Sequence, residues 1–222
     1  MAPPEKVRVV VVHGEHLTAQ ALQRALGSER DLQVPAATAD PGAAVVLALE
    51  VAPDVAVVDL GLAQDEAVET IRRMAEASPG TVFVALSEGD DLAVARAVEA
   101  GASGHVPKSA PVSELAEAVR AVARGDTLVG PEERRHLLRR LRHRRAEAAS
   151  AEQRAGRLTR REVQILQLMA DGVPAEALAQ SLAMSPATLR THMQNIIIKL
   201  GVHSKTEALA FAIRHGRVVT GR

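Results

Sequence analysis

Short runs of valine without polar alternation restrict most sharply what this chain can fold into. Residues 7–12 read VRVVVV and residues 55–59 read VAVVD. A strand with one face in water alternates apolar and polar residues, so such runs fit strands covered on both faces, as in a parallel sheet flanked by helices. Further strands are predicted at 32–37, 82–86 and 104–106, with helical periodicity between them near 17–27, 41–51, 65–77, 90–100 and 111–124. Five strand–helix units imply a doubly wound, five-stranded parallel α/β domain over residues 1–124. In such sheets, ligands sit beyond the carboxyl ends of the strands. His13, Asp59, Ser87 and Lys108 all fall there.

Beyond residue 124 the composition changes. Residues 1–130 carry 10 Lys and Arg against 19 Asp and Glu, net −9, whereas residues 131–222 carry 17 against 8, net +9. The neutral total hides two halves with opposite electrostatic roles, and the basic half suits a polyanion. Residues 125–157 include RRHLLRRLRHRR, where Leu137, Leu138 and Leu141 make a helical stripe among arginines. This segment is predicted to be a partly helical linker, either solvated or in contact with phosphates or a second subunit. Among the 222 residues are no Cys, Trp or Tyr and two Phe, which rules out disulfides and thiol chemistry and argues against aromatic stacking on single strands. No secretory signal or membrane span is visible, so a cytoplasmic protein without membrane contact is expected.

Residues 158–222 read as four short helices, an all-α helix-turn-helix domain. Thr159 and Glu162 form a predicted capping box, as do Ser204 and Glu207; Ser185–Pro186 opens the third helix, and Gly172, Gly201 and Gly216 stop helices. Helices near 174–182 and 186–200, joined at Ala183–Met184–Ser185, give the helix-turn-helix layout. With its LT-RE, A-L-A-x-x-L, S-x-x-T-x-x-x-H and KLGV-S-x-x-EA pieces, this region resembles the LuxR-type helix-turn-helix of the NarL/FixJ response regulators over about residues 158–216. Leu189, Met193, Ile196 and Leu200 recur at helical spacing and face the core, leaving Arg190, Thr191 and Gln194 opposite, where the resemblance implies base contacts. Arg190 suits guanine and Gln194 adenine edges in the major groove. Thr188, His192 and Lys199 are expected at phosphates. Ile198 stands where the family usually has a polar or basic residue. Leu209, Ala212 and Ile213 form a stripe on the last helix, which in the family pairs two subunits. A homodimer or a heterodimer with a related regulator, on a double-stranded inverted-repeat operator, is therefore implied.

The first domain resembles the receiver of the same regulators over residues 7–124. PDVAVVDLGL places Asp59 as phosphoacceptor, VFVALS places Ser87 as the hydroxyl sensing a phosphoryl group, and GASGHVPKS places Lys108 as its pairing ammonium. The resemblance puts His13 and Gly14 where two acidic residues normally hold magnesium, with Glu15 one residue further on as the possible substitute ligand. His105 stands at the usual switch aromatic, and LGLAQDEA lacks the usual Met-Pro-Gly turn. Since Mg²⁺ wants oxygen ligands, its binding is expected to be weak or absent, and no other metal is expected. The expected protein is thus a DNA-binding transcription regulator, not an enzyme, with an atypical receiver controlled by a small ligand or a partner protein. The alternative is a conventional two-component regulator phosphorylated at Asp59.

Overall fold

In the computed structural model, residues 6–62 and 66–220 are described, and they divide into two compact units, Met1–Arg142 and His143–Arg222. The first unit alternates β1 (Val7–Val12), α1 (His16–Gly27), β2 (Leu32–Thr38), α2 (Pro41–Val51), β3 (Val55–Asp59), α3 (Glu66–Ala77), β4 (Val82–Ser87), α4 (Asp91–Ala100), β5 (Ala102–Pro107) and α5 (Val112–Ala123). The strands make one parallel sheet in the order β2-β1-β3-β4-β5. The valine runs explain its depth. Val9 and Val11 pack on one side of the sheet with Leu26, Leu115 and Val119, whereas Val10 and Val12 pack on the other with Ile71, Met74 and Phe83. All four valines are fully buried. At about 1.5–3 kcal/mol for each side chain removed from water, such strands cannot tolerate a polar face.

Strands β2, β4 and β5 outrun their expected ends, most clearly β5, which pairs with β4 from Phe83–Ala102 to Ser87–Pro107. Its polar Ser103 and His105 hide this in the sequence. Gly104, inside β5, has φ +156°, and a Cβ there would lie 2.5 Å from the Cβ of Leu128, so only glycine lets the segment after α5 cross the strand this closely. The residues between β3 and α3 belong partly to 63–65, so the expected departure from the Met-Pro-Gly turn lies in part outside the described residues.

Residues 125–157, expected to be a partly helical linker, contain one 26-residue helix, α6 (Pro131–Gly156). Its residues up to Arg142 belong to the first unit, where Leu137 and Leu141 are buried against Val94 and Val98 of α4. From His143 onward it belongs to the second unit, where Arg154 donates to the Leu200 carbonyl at 3.0 Å and Arg217 pairs with Glu152 at 2.5 Å. Tertiary partners at both ends hold a helix whose Arg-rich middle would repel itself in isolation.

The second unit continues with α7 (Arg160–Ala170), α8 (Ala175–Ser181), α9 (Pro186–Leu200) and α10 (Lys205–Arg214) around Ile165, Leu166, Met193, Ile196 and Leu200. Both sides of the Thr159–Glu162 capping box are formed. The second expected box is only half formed: Ser204 accepts from the Glu207 N–H at 3.1 Å, but the Glu207 carboxylate accepts from His203 N–H at 2.9 Å instead of from Ser204.

Candidate functional sites: the strand-end pocket and the recognition helix

The ends of β1, β3, β4 and β5 bring His13, Asp59, Ser87 and Lys108 to one edge of the sheet. Asp59 is 3% exposed and ion-paired with Lys108 Nζ at 2.7 Å through Oδ1, which also accepts from the Gly61 N–H at 2.8 Å. A Cβ at Gly61 would lie 2.7 Å from Lys108 Nζ, so glycine leaves the ammonium its place. Oδ2 is held more loosely, with Gly14 N–H at 3.4 Å and His13 Nε2 at 3.5 Å. Burial alone would push the Asp59 carboxyl up, but the Lys108 hydrogen bond, the Gly61 N–H and the His13 ring outweigh it and hold it below the usual carboxylate range. Burial opposes the Lys108 charge, and Asp59 with Glu88, 3.3 Å away, overcomes it and raises the ammonium above its ordinary value. Next to this pair, Ser87 is buried, its Oγ 3.1 Å from His105 Nδ1.

His13 is itself buried, and its Nδ1 accepts from the Glu15 N–H at 3.1 Å. That bond assigns the ring proton to Nε2, which faces Asp59. An imidazole N–H thus faces Asp59 Oδ2 from 3.5 Å. Gly14 offers no side chain, although a Cβ there would make only ordinary contacts, 3.8 Å from Asp59 Oδ2 and 3.9 Å from the Gly61 carbonyl oxygen. Glu15 is exposed at the start of α1 and accepts from Thr18 at 2.9 Å. Among the described residues, no group of three His, Cys, Asp or Glu is placed to hold a metal ion. A cavity of about 290 Å³ opens beside the pocket, walled by Leu22, Leu86, Val106 and Leu115 and edged by His13 and Lys108.

On α9, Arg190, Thr191 and Gln194 are exposed, opposite the buried Met193, Ile196 and Leu200. Thr188 is exposed but engaged at the helix start, its Oγ1 2.9 Å from Ser185 Oγ, and His192 is half-buried. Two expected roles are corrected by the packing. Lys199 points into the domain, its Nζ 2.7 Å and 2.8 Å from the two carboxylate oxygens of Glu162, so its first partner is this buried acid and not a phosphate. Ala212, read as part of a subunit contact, is fully buried in the core of its own domain, whereas Leu209 and Ile213 beside it are half-buried. Ile198 is 67% exposed. The Glu162–Lys199 pair had no signal in the sequence, because its partners are 37 residues apart and each already had a local reading.

Residues 9–120 match the response regulator receiver domain family, and residues 156–212 match the LuxR family of bacterial regulatory proteins. The chain belongs to the response regulators. This response regulator is 30% identical to the transcriptional regulatory protein LiaR of Bacillus subtilis over 94% of its own length and 98% of that relative's. It is also 29% identical, over 96% of its length and 98% of the relative's, to the uncharacterized transcriptional regulatory protein YxjL of the same organism. The receiver of the putative response regulator NarL from Mycobacterium tuberculosis superposes with TM-score 0.51 at 29% identity, covering 55% of this chain and 99% of that one. A structure of the two-component response regulator RcsB with DNA shares the fold alone, at 18% identity and TM-score 0.51 over 93% and 98% of the two chains. A receiver joined to a LuxR-type domain makes the chain a DNA-binding transcription regulator. Among the described residues, no helix is long and apolar enough to cross a membrane.

Proposed function

We propose that this regulator occupies its operators without aspartyl phosphate, and that its receiver answers a small ligand or a partner protein. The observation that carries this reading is the His13 ring against Asp59: the ring presents N–H where a magnesium site needs carboxylate oxygen. Gly14 supplies no second acid, so the residues present do not fit the ion, and the anionic Asp59 would meet a phosphodonor with Lys108 as its main counter-charge. The cavity beside His13 and Lys108, apolar inside and polar at its edge, favours a small ligand as the signal. Arg190, Thr191 and Gln194 read bases of an inverted repeat for a homodimer or heterodimer acting in the cytoplasm, and the chain carries out no catalysis of its own.

The intact Asp59–Lys108 pair and Ser87 support a second reading, conventional phosphorylation at Asp59. The two separate in one experiment, in which acetyl phosphate and Mg²⁺ are added to wild type, Asp59→Asn and His13→Asp/Gly14→Asp and both aspartate labelling and DNA binding are measured. The first reading expects wild type and Asp59→Asn to bind DNA equally with no stoichiometric label, and the double variant to gain Mg²⁺-dependent labelling. Stoichiometric, Mg²⁺-dependent labelling of wild-type Asp59 with tighter DNA binding would establish the conventional reading instead.

A further inference from the structure

The part of α6 that belongs to the first unit carries a row of arginines for which neither the packing nor the recognition helix accounts. Arg135, Arg139 and Arg142 are spaced i, i+4 and i+7 and share one helix face, turned away from the buried Leu137 and Leu141. All three are exposed. Like charges at this spacing weaken a helix, so folding alone gives no reason for the row. Nor is the row neutralised. Arg135 has only the exposed Glu132 at 3.8 Å, and among the described residues no carboxylate pairs with Arg139, Arg142 or the neighbouring Arg134. From Arg134 to Ala146 there is no Asp or Glu, although the first 130 residues carry 19 of them.

We propose that Arg135, Arg139 and Arg142 form a second contact with duplex DNA, gripping backbone phosphates outside the bases read by α9. The proposal rests on the DNA binding of the LuxR-type domain and adds a surface to it. The three residues span about 10.5 Å of helix axis, a length over which a duplex presents about six phosphates. Exposed planar guanidiniums, of which only Arg135 has a carboxylate within 4 Å, donate N–H bonds to phosphate oxygens two at a time. Such contacts add affinity and salt dependence without sequence preference.

The test is binding of the full chain to a random-sequence 40-base-pair duplex across about 50–200 mM salt. Wild type is compared with Arg135→Gln/Arg139→Gln/Arg142→Gln and with the three corresponding Lys substitutions. The Gln variant should bind about tenfold or more weakly, with the slope of log affinity on log salt reduced by about 2–3, and the Lys variant should keep most of both. A second readout needs no variant: duplex should protect Arg135, Arg139 and Arg142 of wild type from phenylglyoxal. An unchanged slope in the Gln variant, or protection of Arg190 without protection of the α6 row, would overturn the proposal. Failure of wild type to bind any duplex would instead overturn the DNA-binding reading beneath it.

Discussion

Asp59 and Glu162 are chemically alike and differently used. Each is a carboxylate about 3% exposed with a lysine ammonium at 2.7 Å, and each is held below the ordinary carboxylate range against the opposing effect of burial. For Glu162, Lys199 and the Thr159 backbone N–H provide the hold. The surroundings separate them. Glu162 Oε1 accepts from Lys199, and Oε2 accepts from both Lys199 and the start of α7, so the acid joins α9 to α7 with both oxygens held by short bonds. Asp59 is firmly bonded on Oδ1 only; Oδ2 has longer contacts, and its neighbours His13 and Lys108 line a cavity. The same pair is a rivet where both carboxylate oxygens are held at 2.7–2.8 Å and a candidate site where one oxygen has only contacts of 3.4–3.5 Å.

The largest expected effect tests the rivet. Glu162→Ala removes the buried partner of Lys199 and half of a capping box, and should destabilise the second unit by about 3 kcal/mol or more. Hydrogen exchange read on α7 and α9 in the full chain would show it as loss of protection there with the first unit unchanged. Equal protection in the variant would make Glu162 as dispensable as a surface acid.

A smaller effect is expected in the receiver. Asp59→Asn should cost the first unit about 1–2 kcal/mol, since Lys108 keeps Glu88 and water as partners, and should leave DNA affinity within about twofold. A loss matching that of Glu162→Ala would erase the distinction between site and rivet.

Acid offers a graded comparison. A carboxyl held low in the folded state stabilises above its unfolded value, near 4, and that contribution disappears as pH falls through the folded value. Both units should therefore lose stability below about pH 4, and Glu162→Gln should flatten the loss in the second unit only. Lys108 has the opposite sign: its raised value stabilises below the ordinary lysine value near 10.5 and fails as pH rises past the folded one. Lys108→Met should remove that alkaline limb from melting curves of the first unit.

The smallest effect concerns the turn of the helix-turn-helix. Ala183 has φ +49°, a left-handed conformation that strains any residue with a Cβ. Ala183→Gly should raise the stability of the second unit by about 0.5–1 kcal/mol without changing DNA affinity, detectable as slower exchange in α8 and α9.

Much of this was written locally. The valine runs named a sheet covered on both sides because burial on two faces leaves no room for polar alternation, and the caps at Thr159 and Ser185 marked helix starts because orphan N–H groups need nearby oxygens. The strand-end positions of Asp59, Ser87 and Lys108 followed from the same patterns, and helical spacing alone turned Arg190 and Gln194 away from the core. Other features needed contacts between distant residues. Lys199 looked like a phosphate ligand until Glu162 met it across the domain, and Ala212 looked like a subunit contact until the core of its own domain claimed it. His13 was legible as a missing acid, but not as a ring set against Asp59. Periodicity and capping act over a few residues, so a sequence displays them directly. Ion pairs, cavities and the choice between an inner and an outer partner depend on which segments approach in space, and only the folded chain decides that.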